Sequence, residues 1–298
     1  MKPHPIKADL LLILVTLLAA CGWVFSKETL QGLPPIQFIG SRFLLAGVVL
    51  GLIGAPALKQ IPLTSLIKAS STGLVFAIAM IFWILGLHHG HHVGEGAFIT
   101  SMGVVLVPLI ARFFFAETPA RETWIALPIA TTGLALLSLN QGFSLEAGQI
   151  YFLIAAVIFA LHFNLTTKLV ATIAPLALSA IQLCIVGIVS LGVSFTIETW
   201  PSYVDSSIWI WFLASALIAT CLRFWLQTKA QSFAPASHVV VILTLEPIWT
   251  AILASLWFDE TMTTLQFSGC TLIFSALLIS RWRWLRTLFF PQSNRPKI

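Results

Sequence analysis

Residues 9–26 read DLLLILVTLLAACGWVFS, with one charge, Asp9, at the edge of the run. Crossing a bilayer as a helix takes roughly 20 predominantly apolar residues, and this stretch is about that long. A strand of a transmembrane barrel would alternate polar and apolar side chains over about ten positions. Between Leu10 and Ala20 only Thr16 interrupts the apolar run, so the stretch predicts a transmembrane helix. Similar runs follow at about 34–54, 66–87, 93–115, 121–139, 146–168, 175–197, 207–228, 235–257 and 263–284. Ten helices joined by short loops are predicted. Composition agrees, because a water-soluble globule of 298 residues has no interior for a chain that is 58% hydrophobic and 9% charged. The fold class is an all-α integral membrane protein.

The ten helices fall into two halves. Lys27 precedes Pro34 by the same spacing that separates Lys168 from Pro175, an offset of 141, and Glu117-Thr118 recurs as Glu260-Thr261, an offset of 143. Both matches share the register of a five-helix hydropathy pattern, which places one repeat at 8–140, a second at 146–285 and a tail at 286–298. Five is odd, so the second copy enters from the opposite side and the repeats are inverted, the layout of secondary transporters.

Positive charge orients the chain. With the N-terminus inside, Lys2, Lys7, Lys59, Lys68, Arg112, Arg121, Lys168, Arg223, Lys229 and the five basic residues from Arg281 to Lys297 fall at cytoplasmic helix ends or loops; Lys27 and Arg42 do not. Both termini are then cytoplasmic, in a bacterial inner membrane. The basic pI of about 9.2 reports on orientation and anionic lipid, with Trp282 and Trp284 as interfacial anchors. A nucleic-acid role would need a soluble basic domain, which the hydropathy pattern does not provide. Leu18-Ala19-Ala20-Cys21 has the form of a lipoprotein cleavage box, but cleavage there would remove the first helix of a repeat whose counterpart at 146–168 is whole. A retained helix is expected. Cys21, Cys184, Cys221 and Cys270 all lie within spans and form no CxxC pair, so disulfide and redox roles are not indicated.

Cys21-Gly22-Trp23-Val24-Phe25-Ser26-Lys27, Pro34-Pro35 and Arg42-Phe43-Leu44-Leu45-Ala46 resemble the opening of an EamA domain of the drug/metabolite transporter superfamily. Phe115-Ala116-Glu117-Thr118 and Phe258-Asp259-Glu260-Thr261 resemble the acidic turn before that domain's last helix, and Glu246-Pro247 its Glu-Pro pair. The ordered set of motifs covers about 8–285. Ala126 stands where the second half has Gly269, and Leu183 where the first has Arg42, which makes the halves chemically unequal. The resemblance implies a central cavity lined by helices 1, 3, 4, 6, 8 and 9, alternating access, and metabolite export, without naming the cargo.

An ionised side chain at a helix centre costs roughly 2.5–3.5 kcal/mol on insertion scales, so each one present has a partner or a function. Glu95, just inside the outer end of helix 4, and Arg42, about two turns below the outer end of helix 2, are expected at one depth. Glu95 is read as a titratable carboxylate for a substrate amine or proton with Arg42 as its movable counter-ion; the alternatives are a structural ion pair, or an Arg42 that ties helix 2 to backbone carbonyls. Glu246 stands near mid-depth in helix 9, where Pro247 removes a backbone donor and kinks the helix; it is a coupling or binding carboxylate, or a structural one. His162, whose unperturbed pKa allows a charge switch near neutral pH, and Asn164 occupy the stretch of helix 6 that matches Cys21 to Ser26; both are candidate cavity groups or interhelical hydrogen-bonders. Trp23 and Trp83 are candidate cavity walls, and Arg223 is assigned to the positive-inside pattern. His88-His89-Gly90-His91-His92 invites a metal reading, but its spacing carries no ligand pattern and a solvated loop is expected. Gly47, Gly51 and Gly54 are read as close-packing positions.

The leading function is secondary export of a small organic metabolite, an amino acid or related amine, driven by protons or by the solute's own gradient. Multidrug, nucleoside or vitamin transport on the same fold remains open, as do a membrane enzyme or sensor and divalent-metal efflux. The sequence has no GxxxxGK[ST] loop and no HExxH, so neither ATP-driven transport nor enzyme chemistry is expected, and no cofactor. The expected partners are the metabolite, membrane lipid and protons, for a monomer or homodimer.

Overall fold

A computed structural model describes residues 5–116, 121–139, 146–231, 242–280 and 282. The Glu117-Thr118 turn, the start of predicted helix 9 at 235–241 and the 286–298 tail with Trp284 lie outside them. Among the described residues the chain is helical, without strands. The helices are α1 (Pro5–Thr29), α2 (Pro35–Ile53), α3 (Ala55–Leu58), α4 (Leu63–His89), α5 (Val93–Ser101), α6 (Gly103–Phe115), α7 (Arg121–Leu139), α8 (Ala147–Leu169), α9 (Pro175–Ile197), α10 (Ser206–Ala216), a π-helical segment (Leu217–Leu222), α11 (Arg223–Gln231), α12 (Glu246–Phe258) and α13 (Thr264–Ser280).

Seven helical runs are long and apolar enough to cross a membrane: α1 from Asp9, α2, α4, α5 with α6, α8, α9, and α10 running on to Gln227. The remaining predicted helices correspond to α7, with an apolar stretch at Trp124–Gly133 among the described residues, and to α12 and α13, of 13 and 17 residues. Pro35 and Pro175 sit at the starts of α2 and α9, where a missing N–H removes no helical bond.

Helix ends are tied across the two halves. The Glu198 carboxylate accepts from the backbone N–H of Ile36 at 2.8 Å and Gln37 at 2.7 Å. The Glu260 carboxylate accepts from those of Val93 at 2.7 Å and Gly94 at 3.2 Å. Both satisfy orphan donors and complement the positive end of a helix dipole. Lys27 Nζ donates to the carbonyls of Leu87 at 3.1 Å and Gly90 at 3.0 Å, so this exception to the positive-inside pattern is a cation closing the C-terminal end of α4. Asp259 (φ 51°) and Ala116 (φ 55°) are both left-handed and end equivalent helices, so the two repeats turn alike immediately before Glu260 and Glu117. Glu260→Ala is expected to lower the detergent melting midpoint through loss of roughly 1 kcal/mol of capping; an unchanged midpoint would remove the cap's structural role.

These ties gather the ends of α1, α4, α9 and α12 with the starts of α2, α5 and α8 at one end of the bundle, where Trp257 Nε1 also donates to Glu28 at 2.8 Å and His91 lies 3.9 Å from Glu146. At this end of the bundle α1 ends where α8 begins, and α2 begins where α9 ends. Pairing follows the same pattern, with α4 on α8 and α9 as α10 is on α1 and α2. The α2–α9 crossing is glycine-lined. A Cβ on Gly47 would lie 2.6 Å from Cys184 N, and one on Gly187 2.5 Å from Leu44 N. Gly47 thus packs as expected, whereas Gly51 meets only Leu58, at 3.8 Å.

Candidate functional site

Two helix breaks frame the centre of the bundle. The fourth predicted helix breaks at Met102, between α5 and α6, and the ninth at the turn Thr244–Leu245. Met102 and Leu245 are 143 residues apart, the offset of the Glu-Thr repeat. A third irregularity is the π-helical turn Leu217–Leu222, where Thr220 Oγ1 donates to Ser215 O at 2.9 Å. Such turns re-aim side chains. This one presents Thr220 to Arg42.

Between the breaks lies a cavity of about 240 Å³, walled by side chains of α1, α2, α4, α5, α6, α8, α11 and the broken ninth helix. Trp23, Trp83, Arg42, His162 and Glu246 all face it. Trp23 and Trp83 meet edge-on at 4.8 Å, and Phe152 leans on Trp23 at 5.5 Å. Phe43, Phe76 and Phe224 form a second aromatic group, with centroids 5.6–6.2 Å apart. His162 stacks flat on Phe76 at 4.3 Å. Gln182 Nε2 donates to Thr166 Oγ1 at 3.2 Å, and that hydroxyl lies 3.1 Å from His162 Nε2. Thr166 thus links His162 to Gln182 at the edge of the cavity.

Glu246 opens α12, with Pro247 in the first turn. The sequence expectation of a mid-helix kink is corrected: the chain has already turned at Thr244–Leu245, so the missing proline N–H falls where no helical bond is due. Trp23 Nε1 donates to Glu246 Oε1 at 3.1 Å, and Arg223 Nη2 to Oε2 at 3.4 Å. Arg223, assigned by sequence to a cytoplasmic helix end, is the partner of this carboxylate. No local signal joins positions 23 residues apart; the fold brings them together.

Arg42 and Glu95 do not meet. Arg42 is 4% exposed and donates from Nε to Thr220 Oγ1 at 2.5 Å and from Nη1 to Ser26 Oγ at 2.8 Å, with its guanidinium 5.6 Å from the Phe38 and Phe43 ring centres. Glu95 lies outside the cavity, accepting from Gln149 and from Gln266 Nε2 at 3.2 Å. It fastens α5 to the starts of α8 and α13. The expected counter-ion pair fails because hydroxyls satisfy the arginine and amides the carboxylate. Asn164 also turns from the cavity, donating to Val107 O at 3.0 Å and Ala160 O at 2.9 Å, and so links α8 to α6. His88 and His89 close α4, and among the described residues no three His, Cys, Asp or Glu side chains converge as a metal site.

The sequence matches the EamA-like transporter family twice, over residues 6–139 and 146–282. The chain belongs to that family. It is 27% identical over 273 residues to an uncharacterized transporter of Archaeoglobus fulgidus, covering 91% of this chain and 85% of that one. It is 25% identical over 276 residues to the uncharacterized transporter YetK of Bacillus subtilis, covering 86% and 81%. A solved crystal structure superposes with a TM-score of 0.68 at 15% identity, covering 94% of this chain and 98% of the other, which is a likeness of fold. The duplicated match agrees with the sequence repeat, and the curated relatives are transporters, as an EamA protein with a central cavity is expected to be.

Proposed function

We propose that this EamA-family protein is an alternating-access secondary transporter of the bacterial inner membrane, built of ten transmembrane helices in two inverted five-helix repeats with both termini cytoplasmic. It exports a small organic metabolite, an amino acid or a related amine. The observation that carries the reading is the cavity itself: it lies between matched helix breaks, one in each repeat, and holds a carboxylate, two guanidiniums and aromatic walls. The meeting of the end of α1 with the start of α8, and of the start of α2 with the end of α9, supports inversion. Two equivalent halves supply two equivalent gates, which transport requires and catalysis does not. Glu246 and Arg223 offer an ammonium acceptor and a carboxylate donor side by side, the two ends of an amino acid, while Trp23 and Trp83 offer walls for a side chain.

The test is counterflow in proteoliposomes holding the full chain. Vesicles preloaded with one amino acid are expected to accumulate labelled external amino acid, with a rate that depends on the pH gradient. If amino acids, amines, nucleosides and vitamins all fail to exchange above protein-free vesicles, the transport reading falls.

A further inference from the structure

The fixed charges facing the cavity do not balance. Among the described residues Arg42 and Arg223 oppose Glu246 alone, leaving one positive charge in a membrane interior where unpaired charge is expensive. Glu246 is occupied by Arg223 and Trp23. Among the described residues Arg42 has only neutral partners, the hydroxyls of Ser26 and Thr220 and two phenyl rings. Its Nη2 makes none of these bonds and lies beside Gly22, where a Cβ would come within 3.5 Å of it; Gly22 lines the cavity. One helical turn apart on α11, Arg223 Nε and Gln227 Oε1 are buried without a hydrogen-bond partner among the described residues, and both residues line the same space.

We propose that the cargo carries a carboxylate and a net charge of minus one, its carboxylate received between Arg42 and Arg223 and its apolar body against Trp23 and Trp83. A guanidinium presents a planar fork that matches a carboxylate's two oxygens, and Gln227 Oε1 accepts from a hydroxyl or amide N–H elsewhere on the cargo. A simple amine would add a second uncompensated cation, so organic acids, acidic amino acids and N-blocked amino acids rank above amines. This inference rests on the transport reading and narrows its cargo to anionic carboxylates, acidic and N-blocked amino acids among them, setting the related amines aside.

Three probes with one phenylethyl body separate the charge states: 3-phenylpropionate, L-phenylalanine and phenethylamine, each titrated against the full chain in detergent with binding read by calorimetry. 3-Phenylpropionate is expected to bind at least tenfold more tightly than phenethylamine, with L-phenylalanine between them. Arg42→Gln is expected to weaken 3-phenylpropionate about tenfold, and Arg42→Lys to retain most of its affinity. Phenethylamine binding as tightly as the acid, no binding by the acid at millimolar concentration, or an acid preference unchanged in Arg42→Gln would each overturn the proposal. If Arg42→Gln does not fold, the wild-type ranking decides alone. Arg42-dependent binding of 3-phenylpropionate without counterflow would preserve this inference and remove the transport reading; counterflow of phenethylamine indifferent to Arg42 would do the reverse.

Discussion

Glu246→Gln is expected to cut cargo counterflow by at least tenfold, to abolish its dependence on the pH gradient and to lower the melting midpoint. The carboxylate holds Trp23 from one repeat and Arg223 from the other, so neutralising it loosens a contact across the cavity and strands a guanidinium. Removing one partner of a fully buried ion pair costs about 3–5 kcal/mol; Glu246 and Arg223 are each 23% exposed, and partial screening reduces the expected loss to about 2 kcal/mol. Arg223 Nε already lacks a hydrogen-bond partner among the described residues, so loss of the carboxylate leaves the cation poorly compensated. Glu246→Gln combined with Arg223→Gln removes both charges and is expected to recover most of the stability and none of the flux. That pattern separates a structural pair from a functional one: recovery of both would make the pair structural, and wild-type flux with unchanged pH dependence in Glu246→Gln alone would remove Glu246 from the mechanism.

Seven of the helices were legible in the sequence because each is an apolar run of span length, and the duplication because Lys27/Lys168 and Glu117/Glu260 recur at nearly equal offsets, 141 and 143. The purpose of those markers was not legible. Glu260 acts on the N–H groups of Val93 and Gly94, and Lys27 on carbonyls at the end of α4, contacts set by which helix ends meet. Trp23, Trp83, His162 and Glu246 were candidate cavity groups because polar or aromatic residues at mid-depth have few other places to go, and in the structure they line one cavity together with Arg42. Pairing was misread. Depth alone put Arg42 opposite Glu95, whereas rotation about the helix axes, which hydropathy does not encode, turns Glu95 to Gln149 and Gln266 and leaves Arg42 to hydroxyls. Thr220 became visible only through the π-helical turn, and Arg223 was hidden because a cation at a cytoplasmic helix end already has a sufficient explanation.

Gly187→Leu is expected to abolish a folded, monodisperse protein, whereas Gly192→Leu on the same helix leaves the elution profile and melting midpoint at wild-type values. A Cβ at position 187 would lie 2.5 Å from Leu44 N and 2.6 Å from Leu44 Cα, while at 192 nothing stands within 4 Å. The obstacle at 187 is backbone, so no rotamer change relieves it and α2 must move away from α9. The crossing has no slack elsewhere: Cβ atoms on Gly40 and Gly47 would come within 2.7 Å of Leu191 N and 2.6 Å of Cys184 N. Between helices in lipid the hydrophobic effect gives no net attraction, and close packing of small residues holds the contact. Overpacking ordinarily costs about 1–3 kcal/mol; a leucine driven into backbone at a crossing that joins the two halves is expected to exceed the top of that range. Helix α2 carries Arg42, so separating this crossing also withdraws the cavity's unpaired guanidinium. Equal behaviour of Gly187→Leu and Gly192→Leu in size-exclusion chromatography and thermal melting would show that α2 and α9 are not held in this contact.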